Sequence, residues 1–178
     1  MTADSKEIWI KTGYEIFALS GQNGLKIEPL AKKVGISKSS FYHFFADLEL
    51  FVDELLKHHI EKSYIIAQKE QNAKSINPDL IEIIVEHKID ILFNRQLRIN
   101  RENKVFIDIL TKSNEIVGNA FVLLWVRDLS LKLTQKQLES IFELALENFY
   151  LQISSENLNH QWLSNYFTHL KKIVENFV

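Results

Sequence analysis

The 178-residue sequence predicts an all-α fold, and three observations carry that prediction. It holds only five Gly and two Pro, too few to punctuate a chain of short strands. Apolar residues, 46% of the whole, recur at spacings of three and four over long stretches, as amphipathic helices require. No alternating run bounded by turn residues occurs. Together these give about nine helices, a short N-terminal group followed by a longer helical region.

The first helix is expected from Asp4 or Ser5 to Leu19, with Trp9, Gly13, Ile16 and Phe17 on its inner face and Gly21 and Gly24 at its end. The second starts near Ile27 and takes Pro29 in its first turn, where a missing N–H costs nothing. Leu30, Ala31 and Val34 form its buried stripe, Gly35 makes the turn, and Ile36 plugs the space between helices. Ser37 suits the cap of a third helix over about 37–44. There Phe41 and Phe45 point inward, and Tyr42 and His43 outward. This run reads as a helix-turn-helix, with Ser37, Lys38, Ser39 and Ser40 at the exposed start of the recognition helix.

Asp47 is the expected N-cap of a longer helix to about Gln71, with a stripe of Leu48, Phe51, Val52, Leu55, Leu56, His59 and Ser63. After a polar connection, Asn77-Pro78 pairs a cap with a first-turn proline and opens a helix to about Arg95, apolar nearly all round. Two further helices are expected over about Glu102–Thr111 and Ile116–Leu131. Thr134 and Gln137 form a capping-box pattern ahead of a helix with Leu138, Ile141, Phe142, Ala145, Leu146, Phe149 and Ile153 inside. The last carries Trp162, Tyr166, Phe167, Leu170, Ile173, Val174 and Phe177. The stripes of these two helices are broader than one chain's core needs. Phe142, Leu146, Phe149, Ile153, Trp162, Tyr166, Phe167 and Leu170 are therefore candidates for a four-helix dimer interface.

Composition removes several function classes. With no Cys, the chain has no disulfide and no thiolate metal site or nucleophile. Its start lacks the apolar core of a signal peptide, and its longest apolar run, Ile116–Val126, is 11 residues where a membrane span needs about 20. A soluble, cytoplasmic protein with no membrane partner is expected. No nucleophile elbow, phosphate loop or HExxH is present. Glu54, His58 and Glu61 share a helix face, but adjacent His58 and His59 diverge and no second helix echoes the pattern. The expectation is a non-enzyme without metal or cofactor. Arg95, Arg98 and Arg101 could receive an anion, though a solvated helix connection explains them as well.

Net charge is −2, and residues 1–60 hold seven lysines against eight acids. Any DNA-binding face must therefore be local. Residues 26–38 supply one: Lys26, Lys32, Lys33 and Lys38 against Glu28 alone.

In order and spacing, Ile16-Phe17, Gly21, Leu30-Ala31, Val34-Gly35-Ile36-Ser37-Lys38, Phe41-Tyr42 and Phe45 resemble the N-terminal domain of the tetracycline-repressor (TetR) family of transcription regulators. The resemblance covers about residues 8–56; beyond it only the helical architecture matches. It implies a DNA-binding domain over 1–46 and a regulatory and dimerisation domain over 47–178. It also implies a homodimer on a pseudo-palindromic operator, released by a small molecule. By analogy Ser37, Lys38, Ser39 and Ser40 face DNA, and Tyr42 and His43 touch phosphate. Three positions depart from the family pattern. Leu25-Lys26 stand where a capping Thr or Ser is usual, Leu48 where a phosphate-binding lysine is common, and Phe44 where His or Tyr is frequent. Weaker phosphate anchoring follows.

Candidate pocket residues are Phe106, Phe121 and Trp125, with Tyr64, His87 and Asn119 as polar handles, a lining that favours an apolar or aromatic ligand. The alternative is a protein of the same fold that acts through protein–protein contacts.

Overall fold

The computed structural model describes residues 3–129 and 134–175, leaving aside the side chains of 3, 4, 119–122, 125, 128, 129, 135 and 174. The expected Leu131 and Phe177 lie outside the described residues, as does the side chain of Val174. Helices, turns and connections account for all described residues, with no strand among them. The order is α1 (Ala3–Ser20), a 3-10 turn (Gln22–Gly24), α2 (Ile27–Val34), α3 (Lys38–Phe45), α4 (Leu48–Asn72), a π turn (Ile76–Leu80), α5 (Ile81–Glu86), α6 (Lys88–Ile99), α7 (Lys104–Leu129), α8 (Gln135–Gln152) and α9 (His160–Glu175). They form two compact units, one of residues 1–63 and 89–113, the other of 64–88 and 114–178.

In the first unit, aromatic rings hold α1, α3, α4 and α6 together. Trp9 meets Phe41 edge-on at 5.4 Å, Phe41 and Phe45 meet Phe51 at 5.2 and 4.8 Å, and Phe93 stacks on both Tyr14 and Phe17 at 4.3 Å. Such pairs favour edge and offset geometries. Gly13 permits this packing, because a Cβ there would lie 2.3 Å from Phe51 Cζ. Gly35 closes α2 in the left-handed region (φ 76°), its N–H bonded to the Ala31 carbonyl, as a glycine C-cap should be. Asp47 caps α4 as expected, its Oδ1 accepting from Leu50 N at 2.8 Å.

The second unit contains the α8–α9 hairpin. Thr134 and Gln137 make the anticipated capping box. Ile153, Leu158 and Leu163 are buried, and Trp162 stacks on Tyr166 at 5.2 Å.

Two expectations are corrected. The helix anticipated from Pro78 to about Arg95 is two helices, broken at His87 (φ −96°, ψ 26°). It is preceded by a π turn in which Asn77 is extended (φ −117°, ψ 116°), the conformation a residue before proline prefers. Asn77 is thus no cap. Its amide donates to Ser164 Oγ at 3.1 Å, while Asp79 Oδ2 accepts from Lys74 and Ser75 N–H. Conversely, the helices anticipated around Thr111 and Ile116 are one, α7. Its polar middle is no loop, because buried Ser113 bonds Ser63 Oγ at 2.9 Å.

Candidate nucleic-acid interface

The helix-turn-helix places the sequence candidates unevenly. Pro29 and Glu28 lie in the first turn of α2, whose N-cap position is Lys26 in extended backbone without a side-chain cap bond. Replacing the usual hydroxyl cap by Lys26 therefore leaves that helix end uncapped by any side chain. Lys26, Lys32, Lys33, Ser37, Lys38, Ser39, Tyr42 and His43 are all exposed. Phe41 and Phe45 anchor α3 in the core. Ser37 stands at the N-cap of α3, yet its hydroxyl bonds Ser39 Oγ at 2.8 Å instead of a backbone N–H.

Ser40 requires a correction. It is 0% exposed, and its hydroxyl has no hydrogen-bond partner. It lies beside Phe41 on the inner side of α3, so it offers nothing to a duplex in this conformation. Its small side chain fits between helices, a signal available from its place one residue before an inward Phe.

The lysine patch is less free than its charge count suggests. Lys38 Nζ donates to the Glu28 carboxylate, which that contact holds below its usual range. Lys33 lies 3.6 Å from Glu15. Among the described residues Lys26 and Lys32 have no ion pair. Lys6 is bound to Glu54 at 2.6 Å and lies over the Phe45 ring, so it helps seat α3 from behind.

A buried polar junction ties α1 to α4 and α6 within the first unit. Tyr14 donates its hydroxyl hydrogen to Asp90 Oδ1 at 2.9 Å and meets His59 Nδ1 at 2.8 Å. Since the phenol proton goes to Asp90, the ring Nδ1 supplies the hydrogen on the second bond. Burial pushes His59 down to about 4, so the ring is neutral. Burial, then the Asp90 charge, raise Tyr14 well above the usual phenol range.

The described pocket candidates are distributed over both units. Phe106 is buried in the first unit, edge-on to Phe17 at 5.7 Å. His87 is buried at the C-cap of α5. Tyr64 is 58% exposed. The side chains of Asn119, Phe121 and Trp125 fall outside the described residues.

Of the dimer candidates, Phe149, Ile153 and Phe167 are buried within the single chain. They close the second unit's own core, which corrects their assignment to a partner. Phe142, Leu146, Trp162, Tyr166 and Leu170 are half-buried. The last three line a groove of about 250 Å³ with Asn148, His169 and Ile173. Sequence reasoning missed Leu144 and Leu151, 72% and 79% exposed. Their seven-residue spacing, off the buried stripe of α8, is the signal that could have found them.

Among the described residues no group of three His, Asp or Glu could hold a metal ion, and no helix is long and apolar enough to cross a membrane.

No protein-family model and no curated protein matches the chain. A solved structure from Rhodococcus sp., of a protein assigned to the TetR family of transcriptional regulators, matches with a TM-score of 0.57. It is 16% identical, and the match covers 98% of each chain. At that identity the likeness is one of fold. The chain has the all-helical fold of that TetR-family regulator along nearly its whole length.

Proposed function

We propose that the chain is a transcriptional regulator that binds a pseudo-palindromic DNA operator as a homodimer. Residues 1–46 form its DNA-binding domain and residues 47–178 its regulatory and dimerisation domain. The observation that carries this reading is the start of α3, where Ser37, Lys38 and Ser39 are exposed while Phe41 and Phe45 are buried behind them. A recognition helix needs that arrangement to approach base edges in a major groove. Tyr42 and His43 reach phosphate on the same outer surface, and Lys26 and Lys32 add free positive charge beside it.

Two copies meet through α8 and α9, with Trp162, Tyr166 and Leu170 as the half-buried apolar contacts. A small apolar or aromatic molecule bound in residues 47–178 releases the operator by favouring the DNA-incompetent state. The protein is in this reading a cytoplasmic repressor without enzymatic activity. The test is anisotropy of labelled duplexes from its own promoter, at several salt concentrations. Saturable binding that prefers those duplexes over scrambled ones supports the reading, and equal affinity for all sequences removes it.

One observation favours a second reading, a protein of this fold that acts through protein–protein contacts. Acids engage Lys33 and Lys38, and Leu48 stands where a phosphate-binding lysine is common, which leaves few cations for a duplex. Absence of any DNA binding at low salt is the outcome that selects it.

A further inference from the structure

We propose that Glu70 is the anchoring side chain of a ligand site in the second unit, and that the ligand it takes is an organic cation with an apolar body. The inference rests on reading residues 47–178 as ligand-sensing.

Glu70 lies in the last turn of α4. The buried positions of that helix in the second unit are Ile66, Ala67 and Glu70, and Ala73 just beyond its end continues this otherwise apolar stripe at three- and four-residue spacing. The side chain is 5% exposed, and its Oε2 reaches neither water nor a donor. No ion pair of the described residues involves it. The guanidinium of Arg127 reaches the same end of α4, but it donates to the Ala73 carbonyl at 2.9 Å. The neighbouring Lys69 is bound to Glu86.

A carboxyl retained for architecture has partners, as Asp90 has in Tyr14. Glu70 has an acceptor oxygen sealed from solvent and nothing to bond it, an arrangement that destabilises the free protein. The chemistry that satisfies such a group is a positive charge carried on an apolar body. An anion is repelled, and a neutral hydrogen-bond donor leaves the charged form of the carboxyl unfavourable. A cation gains from ionised Glu70 in surroundings where Coulomb attraction is weakly screened. Burial pushes the carboxyl up to about 8, so at neutral pH it is mostly protonated, and binding a cation expels that proton to solvent.

The experiment compares benzylamine with benzyl alcohol, similar in size and shape and differing in the ammonium charge. Calorimetric titration of the full chain, without DNA, is run at pH 7 in two buffers of different ionisation enthalpy. Benzylamine is expected to bind at least about tenfold more tightly than the alcohol and to release close to one proton. Glu70→Gln abolishes both the preference and the proton release. Equal affinities, no binding of either compound, or unchanged benzylamine binding and proton release in Glu70→Gln overturns the proposal. Glu70→Met is the second variant: it must keep the helical circular-dichroism spectrum, and it too must lose the preference. Because DNA is absent, failure here leaves operator binding to stand or fall by its own test, and cation binding by a protein that ignores DNA separates the two the other way.

Discussion

Each compact unit buries one carboxyl among the described residues, and the two are treated in opposite ways. Asp90 in the first unit accepts from Tyr14, which is in turn bonded to His59, so one network ties α1, α4 and α6. Glu70 in the second unit leaves its buried Oε2 without a partner. The first arrangement fixes a geometry, since each polar atom is satisfied at one register of the three helices. The second leaves polar capacity unspent, which suits a segment meant to receive something. On the proposed function, the unit that presents α3 to DNA needs rigidity behind that helix, whereas the unit that senses a ligand needs an unmet interaction.

The largest effect that would break this contrast is loss of the ring on which the first junction stacks. Phe93 lies 4.3 Å from Tyr14 and Phe17 and 4.6 Å from His59. Phe93→Ala should cost about 3–5 kcal/mol by urea denaturation. A loss below about 1 kcal/mol means the ring is not a structural centre of the first unit.

The pH dependence of stability sharpens the comparison further, because the buried groups pull in opposite directions. His59 falls from 6.5 to about 4 on folding. Between those values the unfolded chain binds a proton the folded chain does not, so stability rises as pH increases from about 4 to 6.5. Glu70 rises from 4.5 to about 8. There the folded chain holds a proton the unfolded chain has lost, so stability falls from about pH 4.5 to 8. The two slopes oppose each other up to about 6.5, and above it only the Glu70 decline remains. Glu70→Gln should therefore be flat from pH 6.5 to 8 where the wild type loses stability. Identical profiles for the two proteins in that interval would contradict the burial of Glu70. Carboxylates held low by lysines, such as Glu54, act only below about pH 4.5 and cancel in the difference.

A smaller effect belongs to the junction itself. Tyr14→Phe keeps the ring stack but removes a donor from buried Asp90, and about 1–3 kcal/mol of stability should go with it. Tyr14→Phe as stable as the wild type would mean that Asp90 is satisfied without the phenol, and the contrast with Glu70 would weaken.

Local signals made much of this legible. Gly35, the start at Ile27, the Asp47 cap and the Thr134–Gln137 box are set by residues within a few positions of one another, and the structure has each of them. What stayed hidden depends on distant partners. The continuity of α7 through Ser113 needs Ser63, fifty residues earlier. The break at His87 sits inside a stretch apolar on every side, where periodicity has no edge to show. Glu70 was readable in principle, since extending the α4 stripe past Ser63 through Ile66, Ala67 and Ala73 lands on it, but a glutamate is by default read as solvated. Ser40 was misplaced because a short helix buries more of its circumference than one stripe suggests.

The smallest expected change concerns the exposed face of the first unit. Lys38 is the cation of the first turn of α3, and Glu28 holds it in the free protein. An exposed pair of this kind adds little to stability, so Glu28→Gln should leave the unfolding curve in place. Its effect should be on DNA. A duplex must displace Glu28 to engage Lys38, and the displaced carboxylate stays near the phosphates. Removing that charge frees Lys38 and lifts a repulsion, so affinity should rise several-fold for operator and non-operator duplexes alike. The slope of log affinity against log salt should steepen by about one, the signature of one additional phosphate contact. If Lys38 instead reads a base edge, the gain should be confined to the operator with an unchanged salt slope. An unchanged affinity for every duplex would place Glu28 and Lys38 outside the DNA-binding face, and the exposed start of α3 would then belong to a protein partner.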